Sequence, residues 1–386
     1  MVQCGIDRID EFEALFRGKK LGMVTSVSGV TQGLRPSYLA VHERWPLTAL
    51  FGPEHGMYGK ADAGEAVDGV QLDAQTGVPV YSLYGGDAGR HMPPEVLEGL
   101  DAVLYDIQDL GVRFYTFIAT LIGVLEDCAA AGKEVIVLDR PAPLGGVTVE
   151  GGLLDMDYTS FVGPYPLCIR YGLTAGELAG MVNAERKLGC RLTVVPCAGW
   201  QRGQLFSETG NLWMAPSLAM PRFGTALLYP GTCLFEGTNV SEGRGTACPF
   251  EIIGAPFLDA VWLAREMNAK NLPGVVFTAA YFTPSASKWK GEACEGVQLH
   301  ISDAHALRPV RTGLTLLYTI REQWPEQFAW RERGAAAGPS RFISLLTGCG
   351  AFEHDDAIPP LDGLLAQWDA ESKAFARRKE QYHLYG

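Results

Sequence analysis

The sequence predicts an α/β fold, with a parallel-sheet domain over residues 1–225 and a smaller C-terminal α+β domain over 226–386. Three observations carry this prediction. Short apolar runs alternate with helix-period stretches through the first half, the pattern of βαβ units. Near residue 225 the texture turns glycine- and proline-rich before new elements begin. At 386 residues the chain also exceeds one ordinary hydrophobic core.

The expected strands of the first domain are residues 20–27, 47–52, 78–83, 101–107, 134–139 and 191–197. Between the fourth and fifth lies VRFYTFIATLIGVLEDCAAAG, whose apolar residues at 114, 117, 118, 121, 122 and 125 mark one buried helical face. A second helix is expected over 174–189, where Thr174 and Glu177 stand at capping-box spacing. In the second domain PFLDAVWLAREMNAKN is a helix, and GVVFTAAYF and EGVQLHISD are strand-like. ALRPVRTGLTLLYTIREQW and the charged tail from Pro359 are helical.

A hydrophobic content of 47% with 20% charged residues is that of a water-soluble globular chain, and a formal charge of −12 disfavours nucleic acid and anionic membrane surfaces as partners. The N-terminal twenty residues are charged and amphipathic, without the apolar stretch of a signal peptide. Nine scattered cysteines form no CxxC pair or Cys/His cluster, so buried free thiols in a cytoplasmic protein are expected.

In an open parallel sheet, ligands sit beyond the carboxyl ends of the strands. Thr25, Ser26 and Ser28 follow the first strand there, and Glu54 and His55 lie in the GPEHG turn after the second. Asp106, Gln108 and Asp109 end the fourth, with Arg113 where the long helix opens; Asp139 and Arg140 end the fifth. Plainer roles stand beside these: Asp106 caps the helix or pairs with Arg113, Asp139 pairs locally with Arg140, and His55 only orients Glu54. Asp62 and Glu65 either approach a ligand or are solvated loop charges.

No G-x-G-x-x-G follows the first strand and no GK[ST] occurs anywhere, which argues against a nucleotide. Glu54, His55, Asp106 and Asp109 match no metal-ligand spacing, and no G-x-S-x-G elbow marks a serine hydrolase. The glycine-rich stretch FEGTNVSEGRGT (235–246) is unsuited to phosphate, because Glu236 and Glu242 would repel it against Arg244 alone. Carboxylates, the amide of Asn239 and an arginine suit a neutral polyhydroxylated ligand better. With Tyr58, Tyr84, Tyr115, Trp213 and Phe235 nearby, paired carboxyl groups across a cleft are the equipment for cleaving a glycosidic bond.

FGPEHGMYGKADAGEAVD, GVPVYSLYG, LYDIQDLGVRFYTFIATL, VLDRPAPLGG, LYPGTCLFEGTNVSEGRGTACPFEIIGAP and RPVRTGL together resemble the bacterial exo-β-N-acetylmuramidase family, in the same order and over essentially the whole chain. The resemblance implies a Rossmann-like domain without a nucleotide site, a smaller C-terminal domain and a cleft between them. It implies release of non-reducing terminal N-acetylmuramic acid (MurNAc), β-1,4-linked to N-acetylglucosamine (GlcNAc), from muropeptide fragments. Matched residue by residue, it points to Glu54, to Glu236, Asn239, Glu242 and Arg244, and to Asp106, Gln108, Asp109, Arg113 and Tyr115. Three positions depart from the family pattern: Ser26 and Ala219 replace expected amides, and Tyr171 an expected histidine.

On this reading Glu54 is the general acid, oriented by His55, and Glu236 or Glu242, ahead of Asp106 or Asp109, is base or nucleophile. Asp106, Gln108, Asp109, Arg113, Tyr115, Asn239 and Arg244 bind the sugar, with Arg113 or Arg244 on the lactyl carboxylate. The partner is a small saccharide, with no cofactor, metal, nucleic acid or membrane; oligomeric state stays open. The alternative is a muropeptide- or glycan-binding protein that uses the same cleft without catalysis.

Overall fold

A computed structural model describes residues 1–61, 64–65, 69–85, 91–334 and 338–386. The first half contains β1 (Leu21–Thr25), α1 (Ser37–His42), β2 (Leu47–Gly52), β3 (Gln71–Leu72), β4 (Pro79–Ser82) and α2 (Pro94–Glu98). It continues through β5 (Ala102–Asp106), α3 (Phe117–Ala130), β6 (Glu134–Leu138), α4 (Ala175–Glu185) and β7 (Arg191–Val195). Then come α5 (Phe223–Thr232), β8 (Ile252–Ala255), α6 (Ala260–Ala269), β9 (Val275–Phe282) and β10 (Cys294–Ile301). The last helices are α7 (Pro309–Gln323), α8 (Phe342–Thr347) and α9 (Leu361–Lys379).

Seven strands form one sheet in the order β3-β4-β2-β1-β5-β6-β7, parallel throughout except for the two-residue edge strand β3. The six expected strands are present within two residues of their expected bounds. Their apolar runs are buried because helices cover both faces, as in doubly wound sheets generally. In α3 the side chains of Phe117, Ile118, Leu121, Ile122 and Leu125 are buried as the periodicity predicts. Each contributes roughly 1.5–3 kcal/mol of transfer free energy. Helix α4 opens with the expected capping box, Thr174 Oγ1 accepting from Glu177 N while Glu177 Oε2 accepts from Thr174 N.

Beyond residue 225 a three-stranded antiparallel sheet, β8-β10-β9, packs against α6. Three elements here, α5, β8 and α8, were not assigned from the sequence. LYPGTC reads as a turn, yet α5 runs through Pro230. Tertiary packing overrides the local signal: Gly231 lies against Gly313 of α7, and a Cβ built on Gly231 would sit 1.8 Å from the Pro309 carbonyl oxygen. Gly231→Ala is therefore expected to force α5 and α7 apart and cost about 3 kcal/mol. A thermal melt checks this; an unchanged midpoint would show that the crossing is not tight.

Helix α9 folds back onto the first half. Trp368 covers Gly152, and Lys379 Nζ donates to the carbonyls of Gly146 (2.6 Å) and Gly172. Tyr385 Oη donates to Asp139 Oδ2 at 2.5 Å, and Asp139 also accepts from Thr174 and Gly176 N. One hydrophobic core accordingly runs through both halves of the chain. Among the described residues no helix is long and apolar enough to cross a membrane.

Candidate active site

A cleft of about 680 Å³ opens where the β2 turn, the β5–α3 loop and the 217–220 segment face the 236–246 loop and the β9–β10 hairpin. That volume is of small-molecule scale.

One wall is built around Glu54. Strand β2 ends in Gly52-Pro53, and His55 and Gly56 both take left-handed backbone angles (φ 72° each), so the chain reverses around Glu54. Its side chain is buried to 8% exposure yet lines the cleft. Oε1 accepts from Gly64 N at 2.9 Å, and Oε2 accepts from Thr116 Oγ1. His55 bonds elsewhere, its Nδ1 donating to the Ala61 carbonyl at 3.0 Å. Thr116 therefore fixes Glu54 where the sequence pointed to His55. Its signal was faint: a hydroxyl just before a long helix reads first as a cap.

Glu236 and Glu242 make the facing wall. Glu236 sits in the short 3₁₀ turn after α5, and its Oε1 accepts both Nε (2.9 Å) and Nη2 (2.7 Å) of Arg244. Among the described residues its Oε2 has no partner. Glu242 is deeper, its side chain 2% exposed against 19% for Glu236. Glu242 Oε2 accepts from Lys288 Nζ at 2.7 Å, and its Oε1 lies 3.4 Å from Arg244 Nε. Lys288 also donates to the carbonyls of Phe235 (2.6 Å) and Val240 (2.9 Å), so the amine is saturated. The hairpin is locked on at Gly245 (φ 79°), where a Cβ would lie 2.4 Å from Ala286 N. Nothing near Lys288 in sequence announces this role, because it comes from a hairpin some fifty residues along the chain.

Aromatic rings line the space between the walls. Tyr229 packs edge-on against Phe114, Tyr115 and Phe250, and Arg244 lies over Phe250 at 4.9 Å. Tyr84 and Phe161 pair at 5.1 Å on the rim. Tyr115 faces Ser217 without a well-formed hydrogen bond, and burial holds its phenol well above its usual pKa. Of the aromatics singled out in the sequence, Tyr84 and Tyr115 reach the cleft. Tyr58 donates to Asp73, Trp213 to the Met220 carbonyl, and Phe235 is core.

Glu54, His55, Tyr115, Glu236, Glu242 and Arg244 thus come together. Asp106, Gln108, Asp109, Arg113 and Asn239 do not line this cleft, and each is engaged within the protein. Asp106 is fully buried in a two-pronged pair with Arg140 (2.7 and 2.9 Å), not with Arg113. Arg140 is therefore not the local partner of Asp139. Gln108 donates to the carbonyls of Asp109 and Pro141. Asp109 accepts from Gly111 N and Tyr171 Oη, and burial pushes its carboxyl up to about 6. Arg113 is sealed in the core, donating to the carbonyls of Gly152, Leu167 and Leu346. Asn239 braces the chain at Gln327 and Ala329.

For Asp106 and Gln108 the cause lies at the switch point between β1 and β5, where this fold usually holds a ligand. The Asp106–Arg140 pair and the Ser28 turn occupy it, leaving a cavity of about 30 Å³. Of the three departures, Ser26 bonds Ser28 and Tyr171 bonds Asp109, both buried; Ala219 alone lines the cleft. Glu65 lines a neighbouring cavity with His55, and Asp62 lies outside the described residues.

Comparison with known proteins identifies the family. Residues 21–224 match the family model for the N-terminal region of exo-β-N-acetylmuramidase NamZ, and residues 227–385 match that for its C-terminal region. The peptidoglycan β-N-acetylmuramidase NamZ of Bacillus subtilis (strain 168) is 44% identical over 391 residues, covering 100% of this chain and 91% of its own. Two crystal structures of DUF1343 family proteins from Bacteroides fragilis NCTC 9343 are also similar. They show TM-scores of 0.89 and 0.74 at 32% and 28% identity, over 100% of this chain and 99% of each of theirs.

Proposed function

The chain belongs to the NamZ exo-β-N-acetylmuramidase family, and we propose that its cleft removes terminal MurNAc from peptidoglycan with Glu54 as acid and Glu236 opposite it. The protein is a glycoside hydrolase acting on peptidoglycan. The observation that supports the residue roles is that carboxyl groups from two separate segments, Glu54 and Glu236, line one cleft. Each is held from behind by the protein.

Glu54 delivers its proton to the glycosidic oxygen as the bond to the anomeric carbon breaks. Water supplies hydroxide to that carbon and its remaining proton to the enzyme, so the sum is addition of water across the bond. The Thr116 hydroxyl donates to the Glu54 carboxylate and accepts from the carboxylic acid, so it holds the side chain in both states. Glu236 presents its unpartnered Oε2 to activate water or to attack the anomeric carbon. Arg244 and Lys288 pair with Glu236 and Glu242 and hold them in place. Thr116→Val is expected to lower kcat about 10-fold with KM little changed, and Thr116→Ser to restore it. Steady-state kinetics on a chromogenic β-N-acetylmuraminide check this.

We place the division between the two domains near residue 225, each contributing one wall. The nine free thiols, seven of them buried, support a reducing compartment such as the cytoplasm. Mass analysis of digested glycan strands tests the exo reading. Free MurNAc as the sole early product is expected; internal fragments would contradict it.

A further inference from the structure

We propose that Arg331 is the residue that recognises the lactyl carboxylate and so distinguishes muramic acid from its neutral hexosamine parent. The proposal rests on the muramidase reading and names the specificity contact within that site. An N-acetylmuramic acid residue differs from N-acetylglucosamine by a carboxylate-bearing ether, so the cleft must offer that anion a cation.

The cleft is lined by the cationic side chains of Arg244, Lys288 and Arg331. Arg244 is spent on Glu236 and Glu242. Lys288 has filled its three donor positions with Phe235, Val240 and Glu242. Arg331 differs from both. Among the described residues its guanidinium has no carboxylate or carbonyl partner, and it lies over the ring of Phe342, 4.7 Å from the centroid. A guanidinium on an aromatic face is held by its flat side and keeps its N–H edge open, the edge that pairs bidentately with a carboxylate. Two of the cleft's three cations balance Glu236 and Glu242. The third leaves a local positive charge in a protein of net charge −12.

The position of Arg331 is built. Its N–H donates to the Gly237 carbonyl at 2.8 Å, and its own carbonyl accepts from Phe342 N at 3.0 Å. Thr238 and Trp330 form an antiparallel bridge beside it. Asn239 clamps the same segment, donating to the Gln327 carbonyl at 2.8 Å and accepting from Ala329 N at 3.0 Å. The Asn239 amide thus serves the sugar at one remove. It fixes the segment that carries Arg331 beside Glu236.

The test uses two chromogenic glycosides that differ only in the lactyl group, carboxylate in one and carboxamide in the other. Wild type is expected to favour the carboxylate about 10- to 30-fold in kcat/KM. Arg331→Met, which keeps an unbranched stem over Phe342, should lose that factor on the carboxylate and change less than about 3-fold on the carboxamide. Arg331→Lys should fall between, keeping the charge but not the fork. The proposal is overturned if Arg331→Met keeps the wild-type preference, or if wild type shows none. Failure of the muramidase reading looks different, since wild type would then cleave neither glycoside. The carboxamide rate also reports folding, because a misfolded variant loses both substrates together.

Discussion

Replacing Glu54 by glutamine is expected to lower kcat on the MurNAc–GlcNAc disaccharide about 1000-fold while KM stays within about 3-fold. The amide keeps the shape of the side chain and its neighbours Gly64 and Thr116. What it removes is the proton that the departing sugar oxygen needs. The loss should shrink on a nitrophenyl muraminide, whose leaving group departs as a stable phenolate and asks little of an acid. This dependence on the leaving group is what separates an acid from a residue that merely shapes the cleft. Near-normal turnover of the disaccharide by the variant would end the assignment.

Replacing Glu236 by glutamine should be at least as damaging, about 1000-fold or more in kcat, and equally so for both leaving groups. The carboxylate acts at the anomeric carbon, where both substrates are alike. Its side chain is partly exposed, so the melting temperature should barely move. Glu242→Gln supplies the contrast. That carboxylate is buried against Lys288 and Arg244, and neutralising it leaves the half-buried Lys288 without its counter-ion at a cost of about 3 kcal/mol. Activity and thermal stability should then fall together. Paired kinetics and melts on both variants check this, and the roles exchange if Glu242→Gln abolishes turnover in a fully stable protein while Glu236→Gln does not.

Much of the fold was legible because its signals are local. The apolar runs of β1, β2, β4, β5, β6 and β7 and the periodic face of α3 depend only on neighbours in sequence. Helix α5 was missed because Pro230 and Gly231 signal a turn, and only Gly313 on another helix turns that glycine into a packing requirement. The site divides the same way. Glu54 was legible from the glycine-flanked turn that carries it, and Glu236, Glu242 and Arg244 from a loop that carries all three. Asp106, Gln108, Asp109 and Arg113 were read toward the site because a strand-end rule gives an edge of the sheet and not a depth. Arg140, Tyr171 and three core carbonyls absorb those groups before any ligand meets them. Thr116, Lys288 and Arg331 were silent for the opposite reason. Each is an ordinary residue locally and acquires meaning only from what lies across the cleft.

Digestion of a pure MurNAc–GlcNAc disaccharide by the wild-type protein, followed by mass spectrometry and paired with calorimetry on Glu54→Gln, tests the account most directly. The expected result is complete conversion to free MurNAc and GlcNAc by wild type, with the variant binding the disaccharide and leaving it whole. Disaccharide that binds the wild-type protein and remains intact on long incubation would contradict it.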